Sequence, residues 1–243
     1  MREGPILFQG DMVSAILEDQ KSMTRRVIKP QPVLSPNAGF GQYHHGQMWT
    51  YGTYSNGVSN VRNFVASRSP YGQPGDLLWV RETWYDDMVL RETIPTAPDE
   101  YIFYRADGEA FQQFEALDDS NPFAWRASIH MPRWASRITL RVTDVRVEQV
   151  QDISTANQMA EGLRTHLREH DAVCDLREQW VGLWDSINAK PKRSSHNPYT
   201  GVLEHCYVSY PWENVTETLE HNKFPWYVIG NPWVWVVSFE RLK

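Results

Sequence analysis

Apolar positions recur along this chain mostly in short runs of period two, separated by turn residues, and in a few places with helical spacing. The longest alternating run lies between Arg137 and Val150: Ile138, Leu140 and Val142 alternate with Arg137, Thr139 and Arg141, and near Asp144 the parity switches to Val145 and Val147. Such a run predicts a half-exposed strand or a bent pair of strands. Leu77-Leu78-Trp79-Val80-Arg81 follows the turn signal Pro74-Gly75-Asp76 and predicts a buried strand ending at Glu82. Pro5 to Phe8, Tyr101 to Arg105, Trp226 to Ile229 and Val234 to Phe239 read as further short strands, the last two around Gly230-Asn231-Pro232.

Helical spacing is clearest at Leu176, Trp180, Leu183, Trp184 and Ile187, which share one apolar face. Ser154 is placed to cap a short helix carrying Ala156, Met159 and Ala160, with Gly162 placed to stop it. Asp11 can cap another helix, bearing Met12, Ala15 and Ile16, which the pattern carries straight into Lys21-Ser22-Met23-Thr24-Arg25-Arg26. The stretches near 31–74 and 190–225 are rich in turn formers and read as long, loop-like insertions. Strands outnumber helices and are spread from the first residues to the last. The expected fold is therefore α+β, mainly β: a single domain over residues 1–243, built on a small barrel closed by its terminal strand, with flanking helices.

Composition sharpens the chemistry more than the fold. The chain has 243 residues and a formal net charge of -6, which by itself does not announce a nucleic-acid partner. Yet eleven carboxylates against two arginines fall between Glu82 and Asp119, a local balance of -9 that leaves +3 for the rest. Arginine outnumbers lysine 18 to 6, and there are 11 Trp, 11 Tyr and 9 Phe; both excesses favour flat, stacked, fork-like recognition. No apolar run approaches the roughly 20 residues that span a bilayer, and Met1-Arg2-Glu3-Gly4-Pro5 does not resemble a signal peptide, so a cytoplasmic protein without a membrane partner is expected. Cys174 and Cys206 lie in unrelated contexts, which predicts structural thiols and neither a zinc site nor a disulfide; no metal or other cofactor is expected.

Three stretches could carry chemistry. Lys21, Thr24, Arg25 and Arg26 put an ammonium, a hydroxyl and two guanidiniums within six residues, a donor set for a phosphate, carbonyl or oxyanion; the plainer reading is a solvated helix end. In Trp79-Val80-Arg81-Glu82-Thr83-Trp84, alternation puts Trp79, Arg81 and Thr83 on one face, and a cavity-facing Glu82 would need Lys21 or an arginine as partner. From Trp125 to Arg137, Arg126, Arg133 and Arg137 interleave with Trp125 and Trp134, as a stacked base and its phosphate require; the competing reading pairs these arginines with the acidic segment before them.

Taken together, these stretches resemble the ASCH domains of the PUA-like superfamily. Residues 15–26 resemble the G-x-K-x-x-T-x-R signature, with Gln20 in place of the usual Gly. Residues 74–82 resemble the strand and acidic residue that follow, and Asp152-Ile153-Ser154 with Ala160-Glu161-Gly162 resembles the D-I-T...A-x-x-E-G helix. Pieces of Ser128 to Arg137 and Asn231-Pro232-Trp233-Val234-Trp235 look like a larger subgroup common among prophage-encoded members.

The resemblance implies a PUA-like β-barrel and ligands related to RNA or modified nucleobases. It implies an amidohydrolase site for N4-acylated cytidine at Lys21, Thr24 and Glu82, in which Lys21 takes the Thr24 proton, Thr24 attacks an amide carbonyl and Glu82 orients the lysine or the leaving amine. Arg25, Arg26, Trp79, Arg81, Arg133, Trp134 and Arg137 would line the cleft. The expected partner is a nucleoside or nucleic acid, RNA ahead of DNA. Alternatives are a non-enzymatic reader of RNA or modified DNA, a ribonuclease, and a phage protein contacting a host protein.

Overall fold

The structure is a computed structural model, and it describes residues 1–35, 39–44, 47–50, 64–66, 68–86, 102–108, 125–190, 192–196, 203–213, 218–221, 224–228 and 230–242. In chain order the elements are β1 (Glu3–Leu7), α1 (Gly10–Leu17), β2 (Met23–Val27), β3 (Val33–Ser35), β4 (Gly39–His44), β5 (Gln47–Thr50), β6 (Leu77–Arg81), β7 (Trp84–Asp86), β8 (Ile102–Tyr104) and β9 (Thr139–Gln149). They continue with α2 (Thr155–Ala160), α3 (Glu169–Asn188), β10 (Lys192–His196), β11 (Leu203–Ser209), β12 (Thr218–His221), β13 (Phe224–Val228) and β14 (Trp233–Arg241). The fold is mixed α and β with more strand than helix. Among the described residues the sheets are open and no barrel closes, unlike the closed barrel expected from the strand pattern.

The chain divides into two compact units. Unit 1 comprises Met1–Ser22, Pro74–Thr143 and Phe239–Lys243; unit 2 comprises Met23–Gln73 and Asp144–Ser238. In unit 1 the strand order is β1, β6, β9, with β1 parallel to β6 and β6 antiparallel to β9. Ile6, Leu78, Val80, Leu140 and Val142 are buried while Arg141 and Thr143 are exposed, so the alternation in β9 is that of a sheet with one face in the core. Val145 is the next buried position after Val142, three residues on, which is the parity switch anticipated at Asp144. Strands β7 and β8 pair antiparallel, and Trp84, Ile102, Met131 and Ala135 form a satellite core with Tyr104 against it.

Helix α1 presents Val13 and Ile16 to the core of unit 1. Its N-cap position is Gln9, not Asp11, which lies in the first turn. The helix stops at Leu17 and does not run on to Arg26. The N–H groups of both Gln20 and Lys21 donate to the Ala15 carbonyl, and Asp19 takes a positive φ of 56°, so the chain reverses there. Met23 to Val27 is consequently strand β2, and the donor set of residues 21–26 straddles a turn and a strand.

In unit 2, β2 pairs antiparallel with β14, with Thr24 opposite Val237 and Arg25 opposite Val236. Helix α2 begins where the sequence indicates: the Ser154 hydroxyl accepts from the Asn157 N–H at 3.3 Å, and Gly162 at φ 100° ends the segment. Trp180 and Trp184 of α3 pack with Met23, Val150, Trp212, Val234 and Val236. The stretches expected to be loops contain sheet. Strands β3, β4 and β5 form an antiparallel three-stranded sheet, and β10, β11, β13 and β12 form a four-stranded one in that order. Backbone ladders supply the order there, and segments such as KRSSH of β10 carry no apolar period from which to read it. Residues 51–63, inside the first of these stretches, lie outside the described residues.

Candidate functional site

Unit 1 contains a cavity of about 540 Å³ where β1 gives way to α1 and β6 gives way to β7. Phe8 forms one wall, and Asp11, Ser14, Glu82, Arg105 and Ser128 bring polar groups into the lining. The volume falls in the range of small-molecule sites, about 300–1,000 Å³. Gln9, Gly10 and Asp11 bring the start of α1 to the wall, and Gln9 supplies no side-chain cap to its amides. The Ser14 hydroxyl bonds to the Ala106 carbonyl at 3.2 Å, tying α1 to the turn after β8.

Glu82 is the most constrained polar group in this lining, with a relative exposure of 2%. Arg137 approaches it with two parallel hydrogen bonds, Nε to Oε1 and Nη2 to Oε2, both 3.0 Å. Arg137 also pairs with Asp107, Nη2 to Oδ1 at 2.7 Å, and its guanidinium lies 3.9 Å from the Tyr104 ring centroid. Burial pushes the Glu82 carboxyl above the ordinary glutamate value; the hydrogen bonds and charge of Arg137 oppose that rise, and Asp107 adds to it. Glu82 has thus obtained the partner that burial requires, and the partner is an arginine.

The other residues picked out in the sequence fall into separate groups. Lys21, in unit 1, is buried at 3% exposure, with Nζ 5.9 Å from the ring centroid of Phe8, the residue that walls the cavity. Thr24 is buried in β2 of unit 2. Arg25 is also buried there, and its guanidinium is held by Glu161 at 3.2 Å and Glu148 at 2.9 Å beside the Trp180 ring. Its geometry is that of a core ion pair and not of a cleft-lining side chain, because Met23 and Arg25 share the face of β2 turned toward α3. Arg26 is half-buried; desolvation lowers its guanidinium pKa, opposed by the charges of Tyr71 and Glu161.

In unit 1 Arg81 stacks over Trp79 at 4.6 Å and donates to the Ile129 carbonyl at 3.2 Å. Arg133 pairs with Glu3 at 2.7 Å. Trp134 is 58% exposed and meets Trp84 edge to face at 5.8 Å, and Arg126 lies over the Trp84 ring at 5.1 Å. Of the three arginines in this stretch, Arg137 does pair with the acidic segment, at Glu82 and Asp107.

The pattern did not single out Asp11, Ser14, Arg105 or Ser128 as site residues. In the sequence Asp11 reads as a helix cap, and Arg105 sits in a three-residue turn of helix after β8 that has no periodic signature. Among the described residues no cluster of three or more His, Cys, Asp or Glu could hold a metal, and no helix is long and apolar enough to cross a membrane. Cys174 is exposed on α3, which corrects its reading as a structural thiol; the Cys206 side chain lies outside the described ones. Compared with family models, curated proteins and solved structures, the chain finds no match.

Proposed function

We propose that the chain is an ASCH-like, PUA-like protein whose unit 1 cavity binds a nucleobase or nucleoside. The observation that carries this reading is the buried Glu82 carboxylate on the cavity wall, oriented by Arg137 through both oxygens. Each carboxylate oxygen keeps a second acceptor site after that pairing. A glutamate so held suits an exocyclic amine, in the way acidic side chains accept from N4 of cytosine. Ser14 and Ser128 add hydroxyl partners, and Phe8 adds an apolar ring beside them.

Charge favours the base over the phosphate here. Asp11 and Glu82 line the cavity against Arg105, and the Arg137 guanidinium is already committed to Glu82 and Asp107. A neutral, donor-rich heterocycle loses less in such a setting than an anion would.

Calorimetric titration of the protein with cytidine, N4-acetylcytidine, uridine and adenosine tests the reading. Binding of a cytidine-type nucleoside, weakened at least tenfold in Glu82→Gln, is the expected result; no binding by any of the four would refute it. Acetate release from N4-acetylcytidine, lost in Glu82→Gln, would extend binding to amide hydrolysis.

A further inference from the structure

Unit 2 holds a second concavity, of about 110 Å³ and opposite in character. Lys29, Asn188, Lys190, Lys192, Arg193 and Tyr210 contribute to its lining. The fold collects these cations from three places: Lys29 follows β2, Lys190 follows the end of α3, and Lys192 with Arg193 opens β10. The Tyr210 N–H donates to the Asn188 carbonyl at 2.9 Å, which fixes the wall between α3 and the end of β11, and the Tyr210 ring lies 5.4 Å from Lys29 Nζ.

Among the described residues Lys29, Lys190, Lys192 and Arg193 line this hollow, and none of the described lining residues is acidic. Asp185, on the adjoining turn of α3, accepts from the Trp212 N–H at 2.8 Å. The carbonyl end of α3 attracts a cation by its dipole, but that effect is confined to the last turn and does not account for four. Burial and the charge of Lys192 both lower the Lys29 pKa, so the like charges act on one another. An anion among them would relieve that repulsion. The hollow is much smaller than the unit 1 cavity and is of a size to take one phosphoryl group.

We propose that this basic hollow of unit 2 binds one phosphoryl group of a nucleic-acid strand. Lys190, Lys192 and Arg193 are exposed, so a polymer too large to enter can still present a phosphate to them. The assignment stands on unit 2 alone and does not depend on the nucleobase reading of unit 1.

Fluorescence anisotropy with a labelled RNA strand of about 15 nucleotides, titrated between about 50 and 200 mM salt, tests it. The wild-type chain is expected to bind with an affinity that falls linearly on log–log axes. Lys190→Ala combined with Lys192→Ala is expected to weaken binding several-fold and to flatten the slope by about 0.7, one single-strand phosphate contact. The corresponding Lys→Arg pair should keep the slope, and nucleoside titration of unit 1 should be unchanged in the alanine pair. Absence of strand binding by wild type, a wild-type slope in the alanine pair, or loss of the slope in the arginine pair would each overturn the proposal. Inorganic phosphate alone should compete weakly; competition as strong as that of an unlabelled strand would make this a free-anion site and overturn the assignment to a strand.

Discussion

Arg137 and Glu82 form a two-point ion pair, Nε to Oε1 and Nη2 to Oε2 at 3.0 Å each, in which the carboxylate is 2% exposed and the arginine side chain 25%. The asymmetry decides what the pair is for. The carboxylate lies at the wall of the cavity and would be costly there without a cation, whereas the arginine reaches partly to solvent and is also anchored by Asp107. Arg137 is therefore a positioning residue for Glu82.

Arg137→Gln should leave Glu82 buried without its cation and cost about 3 kcal/mol at neutral pH, the lower end of what breaking a buried pair costs, since the arginine is partly exposed. Arg137→Lys should recover only part of this, because an ammonium cannot reproduce the planar fork. Urea unfolding of the two variants checks the order.

The raised Glu82 pKa has a signed consequence for stability. Between the unfolded glutamate value, about 4.3, and the higher folded value, the folded state keeps a proton that the unfolded state has released. The stability that Glu82 contributes through this proton is present below that window and is lost as pH rises through it. Relative to Glu82→Gln, the wild type should lose stability with rising pH across the window and then level off. Paired unfolding curves from acid to neutral pH measure this; a difference independent of pH would contradict the assignment.

Arg25 belongs to the packing of unit 2. Replacing it by Met should destabilise the protein, by about 3 kcal/mol, because the buried Glu161 would lose the guanidinium that bonds to it at 3.2 Å. Chemical denaturation reads the loss. The unit 1 nucleoside affinity, measured under conditions where the variant is folded, should stay at the wild-type value.

Local signals explain which parts of the fold could be read from the sequence. Ser154 and Gly162 mark α2 because a hydroxyl cap and a positive-φ glycine act within one turn, and β9 announces itself because one of its faces is buried along most of its length. The end of α1 is not legible in the sequence, since the reversal at Asp19 depends on a non-glycine residue adopting positive φ. Near 31–74 and 190–225 the turn formers hide the strands, whereas β13 is anticipated at Trp226 to Val228; its parallel pairing with β11 comes from tertiary packing. At the candidate site, Glu82 and its need for a cation were legible from the strand pattern. That the cation is Arg137, fifty-five residues away, is a product of tertiary packing.

Ser154→Ala should cost about 1 kcal/mol, since it removes the hydroxyl that caps the first turn of α2 and leaves the Asn157 amide without that acceptor. Ser154→Asp should restore most of the loss. Thermal unfolding of both variants against wild type distinguishes a cap from a passive surface residue.

The central claim is that the unit 1 cavity holds a base with Glu82 as its acceptor, and a crystal structure of the protein with bound cytidine tests it most directly. The base is expected in the cavity between Phe8 and Glu82, with its exocyclic amine within hydrogen-bond distance of a Glu82 oxygen and the Arg137 pair intact. A nucleoside bound elsewhere, or one in the cavity whose amine points away from Glu82, would contradict it.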